Sequence, residues 1–180
     1  MSARRRSYPL ARVYGLLEPG PVVLIATARA GRPNVMAQSW HTMIDFEPPL
    51  VGCVVSDRSH TYATLRASRE CVIAIPTAAL IEQVVGCGNT SGRSVNKFER
   101  FHLTPERAAQ VQAPLIAECY ANLECKVIDT RLARRYDLFI LQVVKAWVTP
   151  SKQTPRTLHH LGRGTFMVAG RRIETNSRMM

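Results

Sequence analysis

Residues 56–61 read Ser-Asp-Arg-Ser-His-Thr, and five of these six side chains can donate a hydrogen bond. They follow the apolar run Leu50–Val55 and precede a segment in which Tyr62, Leu65 and Arg66 recur at helical spacing. Donors gathered where a strand runs into a helix are suited to holding an oxyanion. The first turn of a helix leaves backbone N–H groups unsatisfied and carries partial positive charge, so anions settle there. That dipole contributes about 0.3–1 kcal/mol at an exposed site. A hydrogen bond to a charged group contributes about 1.5–3 kcal/mol. Side chains therefore dominate: the Arg58 fork, the hydroxyls of Ser56, Ser59 and Thr61, and His60 in either protonation state. An equally simple reading makes Ser59 the helix cap and leaves Arg58 in solvent.

Other chemistry-bearing residues form weaker patterns. The loop Gly86–Ser94, GCGNTSGRS, departs from the phosphate-loop pattern G-x-x-x-x-G-K-[ST] by one residue of spacing and by Arg93 in place of lysine. It departs from G-x-G-x-x-G because Gly92 falls one residue late. Both motifs follow a strand, whereas the pattern before Gly86 is helical. The reading is a helix that ends at Gly86 and a loop whose Asn89 and Ser91 are free to touch a ligand. His159 and His160 have no third ligand at metal-binding spacing, and neighbours in a strand point to opposite faces. They read as a surface pair. Trp40 and Trp147 read as core anchors. Asp45 and Glu47 sit beside Pro48 in an expected turn and do not form a catalytic acid pair. No Ser-His-Asp or Cys-His arrangement emerges.

The elements that would position these residues are mostly strands. Val22–Ala28 is a β-rich run closed by the turn Ala30–Pro33. Residues 34–42 alternate roughly, and Pro48-Pro49 opens the strand Leu50–Val55. A helix is predicted over Thr61–Ser68, a strand over Cys71–Ile75, a helix over Ala78–Val85 and a helical turn over Val95–Phe101. Glu118–Thr130 and Tyr136–Val148 form a long hairpin across Arg131–Arg135, and Gly164–Ala169 adds a short last strand. Few helices sit as crossovers between parallel strands. The expected fold is mainly β with helical insertions, an antiparallel barrel rather than a doubly wound sheet.

The chain of 180 residues fits one domain, with a core of about 13–170. Its net charge of +11 is concentrated at the ends. Residues 1–12 hold four arginines and no acid; residues 151–180 hold six basic residues and one acid; the middle carries only +2. A nearly neutral body argues against a sequence-specific nucleic-acid reader, which presents a basic face on its folded part. No run of 18 apolar residues exists, so no membrane span is expected. The five cysteines, with no C-x-x-C pair, read as reduced core thiols of a cytoplasmic protein.

Five segments in order, "RPNVMAQSW", "PPLVGCVVSDRSHTY", "CGNTSGRSVNKF", "APLIAECYANLECKVID" and "TLHHLGRGTFMVAG", resemble the flavin reductase-like, FMN-binding split-barrel proteins, flavoredoxins among them. The resemblance runs from about Val22 to Gly170. It implies an antiparallel Greek-key split β-barrel, a homodimer, and FMN near the subunit interface, reduced by NADH or NADPH or by a redox partner protein. It places Asn34, Met36, Ala37, Gln38, Ser39 and Trp40 along the isoalloxazine and ribityl chain, and Ser56, Arg58, Ser59, His60 and Thr61 at the phosphate. Asn89, Ser91 and Lys97 would approach from the following loop. Gln38 stands where relatives often carry a small residue, and Lys97 reads equally well as a solvated lysine. Hydride transfer to a flavin needs stacking and orientation rather than a catalytic acid, because the cofactor carries the chemistry. The implied activity is an NAD(P)H-dependent flavin reductase. The alternative is a flavoredoxin-like electron carrier without its own nicotinamide site, and a third, remoter reading is a nucleic-acid-binding module acting through the basic tails.

Overall fold

The computed structural model describes residues 20–150, 155–171 and 173–175. The basic segment 1–12 lies outside them. The strands up to the first helix are β1 (Gly20–Pro21), β2 (Val23–Arg29), β3 (Arg32–Gln38), β4 (His41–Phe46) and β5 (Pro49–Val54). Helix α1 (His60–Ser68) leads to β6 (Glu70–Ile75), then to α2 (Ile81–Asn89) and the short α3 (Lys97–Arg100). The chain continues through β7 (Pro105–Glu106), β8 (Leu115–Ile116), β9 (Ala121–Asp129), α4 (Ala133–Tyr136) and β10 (Leu138–Val148). It closes with the hairpin β11 (Leu158–Gly162) and β12 (Thr165–Val168).

Seven strands form one antiparallel sheet in the order β3-β2-β6-β9-β10-β5-β4. Its two edge strands, β3 and β4, are consecutive in the chain. The Gln38 side chain of β3 ties the corner between them to β5. Its Nε2 donates to the Trp40 carbonyl at 2.7 Å and to the Val54 carbonyl at 2.9 Å. The run VVLIATA shows no alternation because both faces of β2 are buried. Val23 and Ile25 enter one apolar core with Cys53, Leu65 and Phe139. Val22, Leu24 and Ala26 enter the other, with Val84 of α2 and Phe98 of α3. Burying each such large side chain contributes about 1.5–3 kcal/mol, so α2 and α3 are held on the sheet by packing rather than propensity.

Several expectations are corrected. Residues 34–42 are not one strand: β3 ends at Gln38 and β4 begins at His41, with Ser39-Trp40 as the corner. Asp45 therefore lies in β4 rather than in the turn. Helix α2 passes through Gly86 to Asn89, because a Cβ at Gly86 would overlap the Phe101 ring and glycine there is a packing choice. Trp40 and Trp147 are not core anchors; they are 54% and 41% exposed. The expected last strand Gly164–Ala169 is one arm of a hairpin whose other arm, β11, carries His159 and His160. All five cysteines are free and buried, as expected.

Candidate functional site

Strand β3, the start of α1, the C-terminal end of α2 and the loop after it enclose a polar cleft of about 280 Å³. It adjoins an apolar lobe of about 420 Å³ through shared walls at Ala37, Gly88 and Asn89. The two lobes lie side by side against these shared walls, the first lined mainly by polar side chains and the second mainly by apolar ones. Asn34, Met36, Arg58, Ser59, His60, Thr61, Ser91 and Lys97 line the polar lobe. Gln38, Ser39 and Trp40 line the apolar lobe, and Ala37 and Asn89 line both. Of the residues expected from the sequence, only Ser56 lines neither. Its Oγ accepts from the Arg58 backbone N–H at 3.4 Å and shapes the turn.

The donors of the strand-to-helix turn divide their work. Ser59 is the N-cap of α1, its Oγ accepting from the Tyr62 N–H at 3.1 Å. The helix-cap reading of this residue holds, and Ser59 also lines the polar lobe. The buried Thr61 Oγ1 accepts from Asn34 Nδ2 at 3.0 Å, which ties α1 to β3. Arg58 is exposed. Gly92 lies so close to Asn34 that a Cβ there would overlap the amide oxygen, so the loop after α2 packs directly on the floor of the lobe.

The strongest electrostatic feature is Lys97, which the sequence left undecided. It is 4% exposed, and its Nζ donates to the Cys87 carbonyl at 2.7 Å. Desolvation lowers its pKa from the ordinary lysine value. Among the described residues the ion pairs are Lys126–Glu70 and Arg131–Asp129, so no carboxylate neutralises Lys97. The His60 pKa is lowered as well, first by desolvation and then by the nearby charges of Arg93, Lys97 and Arg29. A buried cation with no counter-ion among the described residues, in a lobe with other cations nearby, is a costly arrangement unless an anion completes it.

The sequence missed the walls of the apolar lobe. Val84 and Val85 of α2, His160 of β11 and Phe166 of β12 face Trp40 and Gln38 across it. His160 is thus not a plain surface residue: its ring packs on Phe166 with centroids 5.1 Å apart. The signal that could have found it is the pair of glycines in "HHLGRGTF". Gly162, Arg163 and Gly164 all have positive φ and turn β12 back beside β11. Among the described residues no cluster of His, Cys, Asp and Glu could hold a metal ion. No helix among them is long and apolar enough to cross a membrane.

Comparison with known proteins identifies the family and the fold. YddH of Escherichia coli (strain K12) is 32% identical over 173 residues, covering 88% of this chain and 91% of YddH. An FMN-binding domain of a flavin reductases-like enzyme from Shewanella baltica OS155 is 30% identical, with a TM-score of 0.81 over 94% of this chain and 96% of that one. Flavoredoxin of Desulfovibrio vulgaris (Miyazaki F) superposes with a TM-score of 0.79 over 97% of this chain and 96% of its own, and at 22% identity it shares the fold. The fold is mainly β with antiparallel sheets, and its structural neighbours have the flavin reductase-like split-barrel fold. The family model described as "Flavin reductase like domain" matches residues 16–167, and the chain belongs to that family.

Proposed function

We propose that the protein binds FMN in the two-lobed cleft and acts as an NAD(P)H-dependent flavin reductase. The observation that carries this reading is the buried, carboxylate-free Lys97 at the polar end of a cleft whose other end is apolar. A ligand that fits has a strong anion at one end and a flat apolar ring at the other, and FMN has both. The Shewanella baltica relative, described as FMN-binding, supports the choice. FMN, when bound, supplies the hydride chemistry. The chain's own residues do the rest. Lys97, the hydroxyls of Ser59 and Thr61, and Asn89 and Ser91 from the loop hold the phosphate end. Met36, Ala37 and Trp40 orient the ring, and Gln38 supports them from behind by fixing the Ser39-Trp40 corner.

A homodimer belongs to the same proposal. The edge strand β4 exposes Met43, Ile44 and Phe46, the last 79% exposed, in a position where an unpaired edge invites association. Trp40 lies at the start of this surface, so the partner subunit would border the ring end of the site. Five reduced, buried thiols fit a cytoplasmic setting.

The test is direct. Purified protein should be yellow or take up FMN stoichiometrically, and anaerobic NADH or NADPH should bleach the bound flavin. Protein that stays colourless and does not quench FMN fluorescence would refute the flavin reading. Flavin that is bound but bleached only by a reduced redox partner protein would select the electron-carrier alternative.

A further inference from the structure

His60 is the first residue of α1 and lines the polar lobe beside Ser59 and Thr61. That position sets its ring at the positive end of the helix, where a second proton is disfavoured. Cations act on it from three other elements: Arg29 at the end of β2, Arg93 in the loop after α2, and Lys97 in α3. Arg58 and Asp57 stand exposed in the turn just before it. Cys87 of α2 lines the same lobe, its thiol pushed up to about 11 by burial and so uncharged at neutral pH. Strand β3 contributes Asn34, Met36 and Ala37, none of them titratable. Among the described residues that line the lobe there is no Asp or Glu. The loop after α2 lies against the ring, since a Cβ on Gly92 would come within 3.2 Å of the His60 Cδ2. Desolvation first, and then these cations, lower the His60 pKa from the ordinary 6.5. In ligand-free protein the ring is therefore neutral at pH 7.

We propose that His60 takes up a proton from solvent when a phosphate dianion enters the polar lobe, so that FMN binding and protonation of this ring are coupled. The inference rests on the FMN reading above. The dianion reverses the field at the ring, because nearly two negative charges arrive among the cations that held the proton off. A protonated imidazole donates from both nitrogens and meets the phosphate as a charged donor, the stronger kind of hydrogen bond. The coupling is reciprocal: bound FMN raises the proton affinity of His60, and a lower pH tightens FMN. Riboflavin has no phosphate and leaves the ring neutral.

The experiment compares wild type with His60→Gln, which is neutral at every pH, and His60→Lys, which stays charged. Calorimetric titration with FMN and with riboflavin, in two buffers of different ionisation heat at about pH 7, counts the protons bound with each ligand. FMN affinity is then followed from about pH 7 to 8.5, above the second ionisation of the phosphate at about 6. Wild type should take up roughly half a proton more with FMN than His60→Gln does, and its FMN affinity should fall about fivefold across that range. Both variants should lose this slope, and His60→Lys should bind FMN more tightly than His60→Gln. Equal proton uptake in wild type and His60→Gln overturns the proposal, the proton then belonging to another group such as Lys97. So does the same uptake with riboflavin, which would tie it to the flavin ring rather than to the phosphate. Wild type that takes up no FMN in fluorescence titration defeats the function reading itself. FMN that binds without a difference in protons defeats only this inference.

Discussion

The ammonium of Lys97, at the first residue of α3, donates a 2.7 Å hydrogen bond to the Cys87 carbonyl near the end of α2. This contact joins two helices at the floor of the polar lobe and leaves the remaining ammonium protons for a ligand. Exposed Arg58 offers a fork from the surface, where solvent screening discounts it. Lys97→Met should therefore weaken FMN binding by about 1.5–3 kcal/mol, about 10- to 150-fold, while riboflavin affinity changes much less. Arg58→Ala should cost less than Lys97→Met. A titration that ranks them the other way places the phosphate at the protein surface instead.

The same lysine predicts a pH dependence in ligand-free protein. Desolvation lowers the folded-state pKa of Lys97 below the unfolded value of 10.5. Between those two values the unfolded chain holds the extra proton, so stability rises with pH across this alkaline window. Lys97→Met should abolish that rise and leave the ligand-free protein as stable as wild type or more so, because an unpaired buried charge is removed. Urea unfolding at several pH values, with and without FMN, reads both effects.

The loop after α2 has a steric requirement at Gly92. A Cβ there would overlap the Asn34 amide oxygen, so Gly92→Ala must either lift the loop away from β3 or push the Asn34 side chain off its bond to Thr61. FMN affinity should fall about tenfold or more, whereas the midpoint of unfolding should move little because the loop is on the surface. Unchanged affinity would show that the loop does not close on the ligand.

Much of this architecture was legible in the residues. The runs around Ile25, Cys53 and Ile73 are apolar on both faces and bounded by Pro and Gly, which marks strands buried on both sides. Ser59 followed by a helical repeat marked the start of α1. What was not legible depended on distant partners. Gly86 looks like a helix terminus until Phe101, fifteen residues on, fills the space of its missing side chain. Trp147 looks like a core residue, yet it is a surface clamp, its Nε1 donating to Glu124 at 2.7 Å. Lys97 carries no local sign of burial; only the packing of α3 against the sheet puts its ammonium inside. His160 joins the site because β11 and β12 fold back over β1, a pairing between the two ends of the described chain.

The clamp on Glu124 gives a test of stability at acid pH. This fully buried carboxylate accepts hydrogen bonds from Trp147 Nε1 and from the backbone N–H groups of Ala109 and Gln110. Desolvation alone would raise its pKa, but the Trp147 and backbone hydrogen bonds outweigh it and hold the carboxyl below the usual 4.5. A depressed carboxylate contributes stability above the unfolded value, and that stability is lost as pH falls through the folded value. Glu124→Gln should cost on the order of 1–3 kcal/mol at neutral pH. The gap from wild type should shrink below about pH 4.5. A gap that stays constant with pH would mean that shape, not charge, matters here.

The edge strand carries the last prediction. Ile44 and Phe46 of β4 are 51% and 79% exposed, and β4 pairs on one side only, with β5. Exposed apolar side chains along an unpaired edge promote aggregation in a monomer, and natural sheets usually blunt such edges with charge. Here the charge is absent from positions 43 and 44, where Met43 and Ile44 stand, which is reasonable only if another surface covers them. Phe46→Glu combined with Ile44→Lys should convert the proposed homodimer of 20.1 kDa chains into monomer in light scattering, whereas a wild type that is already monomeric would refute the dimer. Because Trp40 lies where β3 turns into this strand, loss of the partner should also loosen the ring end of the site. FMN affinity should then fall together with riboflavin affinity, unlike the phosphate-selective loss in Lys97→Met. A monomer that retains full affinity for both ligands would show that each subunit holds its flavin alone.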